Sequence, residues 1–221
     1  RVLTCASTME INNFHCLTFN ARGIVLNLPT VHNILAQFPV KVLLIQEVNF
    51  KEDTDELRLP GYIHHLLPSF VVNHVSHRGL LMYIQRDIPN SFLGFVDLPS
   101  IRCQSIRVDL LSSKLIIHNV YIPPDLTLTD YPVLQLATML SHPVPVLLAG
   151  DLNSYHPTWR GRIHHSGNTL VAMMDTLDCT MMIPPDPTFI PQTPPWTWSY
   201  PRESYSMTSM FSMRGFQTTD Q

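Results

Sequence analysis

The chain has 221 residues, 45% of them hydrophobic and only 14% charged, with a formal net charge of −3. That length fits one large domain better than two, and the hydrophobic share supplies a real core, which excludes a disordered tail, a collagen-like repeat and a coiled coil. With a pI of about 6.4, no broad basic surface marks a nucleic-acid partner, and any phosphate has to be gripped locally.

The longest apolar runs, such as Val144 to Ala149, fall far short of the roughly 20 residues needed to span a bilayer, and no basic-then-apolar leader opens the chain. The expectation is a soluble, intracellular protein with no membrane partner. Cys5, Cys16, Cys103 and Cys179 have neither the paired spacing of a zinc site nor the density of a disulfide scaffold, so they read as reduced thiols with no disulfide-linked partner. Nineteen prolines against 8 glycines favour short strands joined by stiff loops over long helices.

In chain order, Phe14 to Phe19 is an apolar run ending in Asn20-Ala21-Arg22-Gly23, the pattern of a strand that delivers polar residues to a loop. Leu28 to Phe38 has apolar residues at helical spacing and stops at Pro39. Val42 to Ile45 is a buried strand ending in Gln46-Glu47. Strand, helix, strand, each strand closing on a polar residue, is an α/β layer pattern. Tyr62 to Leu67, Leu80 to Gln85, Ile101 to Leu111 and Lys114 to Tyr121 form a strand-rich middle, with a hairpin turn over Leu111-Ser112-Ser113-Lys114. Along the second half of the third of these, apolar Ile106, Val108 and Leu110 alternate with polar Ser105, Arg107 and Asp109. Leu134 to Leu140 predicts a short helix, Pro145 to Ala149 a buried strand and Asn168 to Leu177 another helix. After Ile183 prolines break the chain up, and beyond Trp196 a Ser-, Thr- and Met-rich stretch has no strand or helix period.

Three buried strands thus end in polar groups: Asn20, then Glu47, then Asp151 and Asn153 in Ala149-Gly150-Asp151-Leu152-Asn153. Carboxylate and amide oxygens without a cysteine or histidine pair suit a hard cation such as Mg²⁺, which makes Glu47 the metal-ligand candidate. Taken alone, Glu47 reads as a surface carboxylate at a strand end and Asp151-Leu152-Asn153 as an Asx turn. His64-His65 and His164-His165 are adjacent pairs whose side chains diverge on a strand, which argues against metal binding there. His156 reads as a brace for the loop after Asp151, and Met173-Met174 and Met181-Met182 as core filling. Trp159 with Arg160 and Arg162 reads equally as a DNA-facing patch or as a packed loop with solvated charges.

Order and spacing together say more. Thr18-Phe19-Asn20-Ala21-Arg22-Gly23, Leu44-Ile45-Gln46-Glu47, Asn119-Val120-Tyr121-Ile122-Pro123-Pro124 and Gly150-Asp151-Leu152-Asn153 resemble, in order, motifs of the endonuclease/exonuclease/phosphatase superfamily. The resemblance is strongest to the apurinic-type endonuclease domain of non-LTR retrotransposons, in which Asp151-Leu152-Asn153 followed by His156-Pro157-Thr158-Trp159 and Gly161 is a familiar phrase. Arg78-Gly79-Leu80-Leu81-Met82-Tyr83-Ile84 and Arg86-Asp87-Ile88-Pro89 also resemble it.

The resemblance implies an α/β fold, a four-layer α/β/β/α sandwich with two mixed sheets packed face to face and helices outside. It also implies a Mg²⁺- (or Mn²⁺-) dependent phosphodiesterase site on one rim. In that site Glu47 would bind the metal, and Asn20 would help hold it and the scissile phosphate. Tyr121 would donate to a phosphate oxygen, Asp151 would orient or deprotonate the attacking water, and Asn153 would hydrogen-bond the phosphate. DNA is the implied partner, with a reverse transcriptase in the parent element and a nuclear location. These residue types suit the task, because phosphodiester hydrolysis needs neutralisation of charge gathering on the phosphate oxygens and a base aimed at water.

Two departures bear on activity. Arg22 stands where many superfamily members carry an acidic residue, and the closing Ser-x-x-Asp and Ser-Asp-His motifs do not occur after Trp196. The genetic code accounts for the second. Read one nucleotide earlier, Trp196-Thr197-Trp198 (TGG ACN TGG) becomes NTG GAC NTG, which forces an aspartate, and Phe216-Gln217-Thr218 can then spell Ser-Asp-His. The expectation is a frame slip between Phe189 and Trp196. Residues 1–189 then form an endonuclease domain lacking its C-terminal part, and 190–221 a Pro-rich, then out-of-frame tail of no expected order. Activity is expected to be impaired, since loss of one electrostatic partner commonly costs about 10² to 10³ in rate. The competing readings are an inactive remnant or weak binding module, and a small-molecule phosphoesterase of the same superfamily.

Overall fold

The computed structural model describes residues 7–11, 14–72, 75–110, 113–124, 126–159, 161–182 and 211–214. In chain order the elements are β1 (Ser7–Ile11), β2 (Phe14–Asn20), α1 (Ile24–Gln37), β3 (Val40–Gln46), β4 (Tyr62–Leu67), β5 (Phe70–Val72), β6 (Val75–His77), β7 (Leu80–Gln85), β8 (Asn90–Leu98), β9 (Ile101–Asp109), β10 (Lys114–Tyr121), α2 (Val133–Leu140), β11 (Val146–Asp151), α3 (His165–Leu177), β12 (Thr180–Met182) and β13 (Phe211–Arg214). One sheet has the order β1-β2-β3-β7-β4, the other β12-β13-β11-β10-β9-β8, and β5-β6 is a separate hairpin.

Both large sheets are mixed. β2 runs parallel to β3 and β10 parallel to β11, while their other pairings are antiparallel. Each parallel pair is joined by a helical crossover, α1 in the first sheet and α2 in the second, as parallel neighbours require. Three apolar layers result. Cys16, Val42, Leu44, Met82, Ile84, Ile106, Val108, Ile117 and Leu147 fill the space between the sheets. Ile24 and Val31 of α1 pack with Leu17, Phe19, Leu43 and Ile45 on the outer face of the first sheet. Leu136 and Leu140 of α2 and Leu170, Met173 and Met174 of α3 pack with Ile116, Val120, Val146 and Leu148 on the outer face of the second. The molecule is therefore the expected four-layer α/β/β/α sandwich.

The strands read from the sequence are present with small shifts at their ends, and two differences have physical causes. Helix α1 begins at Ile24, four residues ahead of the sequence expectation, and passes through Pro29. The carbonyl that Pro29 leaves without a donor belongs to Val25, an exposed residue that water can reach. Asn27 also steadies the first turn, its side-chain amide donating to the carbonyls of Ala21 (2.7 Å) and Gly23 (3.0 Å). Strand β8 was not read from the sequence because its apolar residues Phe92, Leu93, Phe95, Val96 and Leu98 do not alternate with polar ones; it is a sheet edge, half-buried or exposed throughout, with a register shift between Phe92 and Gly94. Within residues 190–221 the described part is β13, which pairs antiparallel with β11 on one side and β12 on the other. The Trp196 and Phe216 positions of the frame argument lie outside the described residues. Among the described residues no helix is long and apolar enough to cross a membrane.

Candidate active site

The sheets bring the polar strand ends to one rim through register. Asn20 lies opposite Gln46, and Gln46 opposite Leu80, in the first sheet. In the second, Arg102, Tyr121 and Asp151 form a row across β9, β10 and β11. Facing sheets make the two rows meet. The Asn20 side-chain amide donates to Asp151 Oδ2 at 2.8 Å, a buried contact between residues 131 apart in the chain. Tyr121 packs against Leu80 and Leu67 of the first sheet, and its hydroxyl lies near the Glu47 and Asp151 carboxylates. Asn20, Tyr121, Glu47 and Asp151 thus converge on one rim.

Asn153 joins them through the turn after β11. Its backbone N–H donates to Asp151 Oδ1 at 3.2 Å, the Asx-turn geometry, while its side-chain amide donates to the Ile122 carbonyl at 2.8 Å. The Asx turn and the site are therefore one structure. Gly150 is required just before it, because a Cβ there would lie 1.9 Å from the Val120 carbonyl oxygen and φ is 147°. Asn20 is itself fixed, its Oδ1 accepting the Arg22 backbone N–H at 3.1 Å.

Backbone strain gathers at the same rim. Among the described residues six non-glycine positions have positive φ, and five flank this site: Arg22 (45°), Glu47 (51°), Asn49 (52°), Arg78 (62°) and Asn153 (43°). Such conformations each cost of order 1 kcal/mol or more and persist where surrounding contacts enforce them. Here the contacts are the bonds from Ala21 and Gly23 N–H to the Gln46 and Glu47 carbonyls (2.8 Å each) and from Val48 N–H to the Gly79 carbonyl (3.1 Å).

Electrostatics follow from burial. Asp151 is nearly inaccessible, and burial, with the nearby Glu47 charge second, pushes its carboxyl up to about 7, while the Asn20 and Asn153 hydrogen bonds and Arg22 oppose the rise. A carboxylate so tuned can take a proton from water near neutral pH. The Tyr121 hydroxyl is pushed up by burial and by Glu47 and Asp151, with Arg78 opposing, so it stays a donor.

Behind the rim lies a layer of buried amides that sequence reading did not single out. Gln46 Nε2 donates to Thr18 Oγ1 (3.0 Å) and Asn119 Oδ1 (2.7 Å). Asn119 Nδ2 donates to Gln104 Oε1 (3.1 Å) and the Ile45 carbonyl (3.2 Å), and Gln104 Nε2 to the His65 carbonyl (2.9 Å). This network ties the two sheets together one layer below Asp151 and Asn20. Sequence reading also missed Arg102 as a buried hub, since an arginine within an alternating strand looks like solvent face.

The remaining candidates have structural duties. His64 and His65 do diverge: His64 Nε2 meets Asp53 Oδ1 at 2.7 Å and His65 stacks on Phe92. His164 and His165 are not on a strand. His164 caps α3 by accepting from Ser166 N–H, and the two rings lie 3.9 Å apart at the helix start. His156 braces its loop through Thr158 (2.8 Å). Trp159 is buried, its indole N–H donating to the Ser154 carbonyl (3.1 Å), and Arg162 lies over Tyr155, so this segment is a packed loop; Arg160 lies outside the described residues. Met173 and Met174 are core, and Met181 and Met182 pack partly buried beside it. Cys16, Cys103 and Cys179 are free thiols. Among the described residues no three of His, Cys, Asp and Glu gather into a metal-binding group.

Comparison with solved structures finds the same sandwich in several proteins. The endonuclease domain of TRAS1, a telomere-specific non-LTR retrotransposon, superposes with a TM-score of 0.57 at 13% identity over 90% of this chain and 84% of that one. An endonuclease/exonuclease/phosphatase family protein from Leptotrichia buccalis gives 0.58 at 12% identity over 89% and 86%. An AP endonuclease from Archaeoglobus fulgidus gives 0.56 at 14% over 89% and 85%. At such identities the likeness concerns the fold. No curated protein matches by sequence. The family model for the endonuclease/exonuclease/phosphatase family matches residues 17–208, running past Phe189. With fold, rim and motif order in agreement over that span, the chain belongs to the endonuclease/exonuclease/phosphatase family.

Proposed function

We propose that the chain is a Mg²⁺- (or Mn²⁺-) dependent phosphodiesterase, the DNA endonuclease domain of a non-LTR retrotransposon, with turnover reduced by loss of the closing aspartate and histidine motifs. The observation that carries the reading is the buried 2.8 Å contact between Asn20 and Asp151, which aligns the amide and carboxylate of two distant motifs on one rim. The donor set suits a hard divalent cation: Glu47 and Asp151 crowd two carboxylates together, which raises the cost of charging Asp151, and the other candidate donors are amide oxygens. Glu47 would hold the ion with help from the Asn20 amide oxygen. Such an ion supplies charge neutralisation at the phosphate and a more acidic water.

The protein's own groups have separable tasks. Asp151, raised to about 7, orients the attacking water and takes its proton. Asn153 and the Tyr121 hydroxyl donate to non-bridging phosphate oxygens, and their fixed positions limit reorganisation as charge builds. In this reading DNA is the partner, a reverse transcriptase follows in the parent element, and the site of action is the nucleus. In the same reading residues 1–189 are the domain without its native C-terminal part and 190–221 the altered end.

A plasmid-nicking assay with Mg²⁺ tests the reading on the wild type, Glu47→Ala and Asp151→Ala. Slow nicking by the wild type that both variants abolish is expected. Equal background in all three would assign the chain to a non-catalytic remnant, the reading that the missing Ser-Asp-His motif favours.

A further inference from the structure

We infer that Arg78 is a phosphate-contacting residue of this site, and that Arg102 is the positioning residue that holds it at the rim. The inference rests on the DNA phosphodiester reading above and adds a residue to it.

Arg102 is the most constrained cation among the described residues. It is 3% exposed and occupies the β9 position directly across from Tyr121. Its Nε and Nη2 grip the two carboxylate oxygens of Asp97 at 2.7 and 2.9 Å, a bidentate pairing that neutralises its charge. Its remaining reach goes to backbone: Nη1 donates to the Arg78 carbonyl at 2.6 Å and Nη2 to the Pro68 carbonyl at 3.0 Å. With four donations made and little surface left, Arg102 has nothing to offer a ligand. What it does is clamp the chain on both sides of the β5-β6 hairpin.

Arg78 is the residue so clamped. Its φ of 62° is left-handed, and the next residue has no room to relax it. A Cβ on Gly79 would fall 2.3 Å from Ser69 Oγ and 2.5 Å from Val48 Cγ2, and the Gly79 carbonyl accepts the Val48 N–H beside Glu47. A strained arginine held between two loops of the site is an expensive way to make a surface residue. Its guanidinium lies over the Phe70 ring, 5.4 Å from the centroid, and makes a long 3.4 Å contact with the Pro99 carbonyl. Among the described residues it forms no salt bridge, so its charge is not spent on a carboxylate. Its carbonyl is held by Arg102, the direct cross-strand neighbour of Tyr121, which brings it to the same corner of the rim. Tyr121 is the expected donor to the scissile phosphate, so a cation next to it faces the same phosphate or its neighbour. In a protein of net charge −3, a backbone contact of this kind has to be local.

Duplex binding over a salt series tests this. The full chain, with Arg78→Ala, Arg78→Lys and Arg102→Lys, is titrated against a short fluorescein-labelled DNA duplex in EDTA and followed by anisotropy. Loss of one phosphate contact lowers the slope of log K against log salt by about 1. Arg78→Ala should show that loss and weaken binding to different duplex sequences alike, while Arg78→Lys keeps the slope. Arg102→Lys keeps its charge but loses the fork, so its slope should fall like that of Arg78→Ala, which a purely structural loss of folded fraction would not produce. A wild type that binds with a slope unchanged in Arg78→Ala overturns the inference and leaves the DNA reading standing. A wild type with no affinity for the duplex overturns the DNA reading itself.

Discussion

Replacing Asp151 by Asn should make the metal-free protein more stable while removing its activity. Folding carries the Asp151 carboxyl from an ordinary value of 3.8 to about 7, so above neutral pH the native state bears the cost of an ionised group that water would otherwise solvate. A rise of that size corresponds to about 4 kcal/mol at alkaline pH. Asparagine removes the charge but gives up the acceptor for Asn20 Nδ2 while keeping one for the Asn153 N–H, a loss of roughly 1–2 kcal/mol. The net expectation is a gain of about 2 kcal/mol. Urea unfolding in EDTA at about pH 8 measures it: the midpoint should rise with the m-value unchanged. A midpoint at or below the wild type's would mean that the Asp151 charge is already compensated in the apo protein, and the argument that burial tunes it as a base would fail.

The same ionisation sets the pH profile. His118 is buried on β10, with Nδ1 2.8 Å from Ser105 Oγ, and burial pushes its pKa down to about 4. The unfolded imidazole therefore protonates first, and the stability His118 confers is complete above 6.5 and lost as pH falls toward 4. Asp151 acts in the opposite sense, its contribution present below 3.8 and lost as pH rises through about 7. The metal-free wild type should thus show a shallow stability profile across this window, whereas Asp151→Asn should climb by up to about 3 kcal/mol between pH 4 and 6.5; chemical unfolding at stepped pH reads the difference. Asn119→Leu should cost about 2–4 kcal/mol by leaving Gln104 Oε1 and one Gln46 Nε2 hydrogen without partners. Adding Gln104→Leu should cost less than the sum of the two single changes in a double-mutant cycle, and strict additivity would count against the amide layer as a connected network.

Much of the site could be read from letters because its parts obey a simple rule. Asn20, Glu47, Tyr121 and Asp151 each stand where a buried apolar strand runs out, and parallel strands put such ends on one edge. What could not be read was polar residues whose partners lie on the other sheet. Gln46, Gln104 and Asn119 meet between the two sheets and bond to one another there, while Arg102 spends its donors on Asp97 and on the Arg78 and Pro68 carbonyls. The start of α1 was placed four residues late because the apolar spacing was read from Leu28, whereas the helix begins at Ile24 and passes through Pro29, whose missing donor leaves only an exposed carbonyl. Edge strand β8 lacked a strand signal because its apolar residues, Phe92, Leu93, Phe95, Val96 and Leu98, follow no period of two.

The seat of β13 has a consequence for the sheet that carries Asp151. A β-ladder is built from main-chain groups, which are the same whatever side chains they bear, so a short segment can slot beside β11 and keep the strand that bears Asp151 from becoming an open edge that would recruit other chains. Architecture and chemistry can therefore vary separately: peptide groups close the scaffold, whereas catalysis depends on particular side chains.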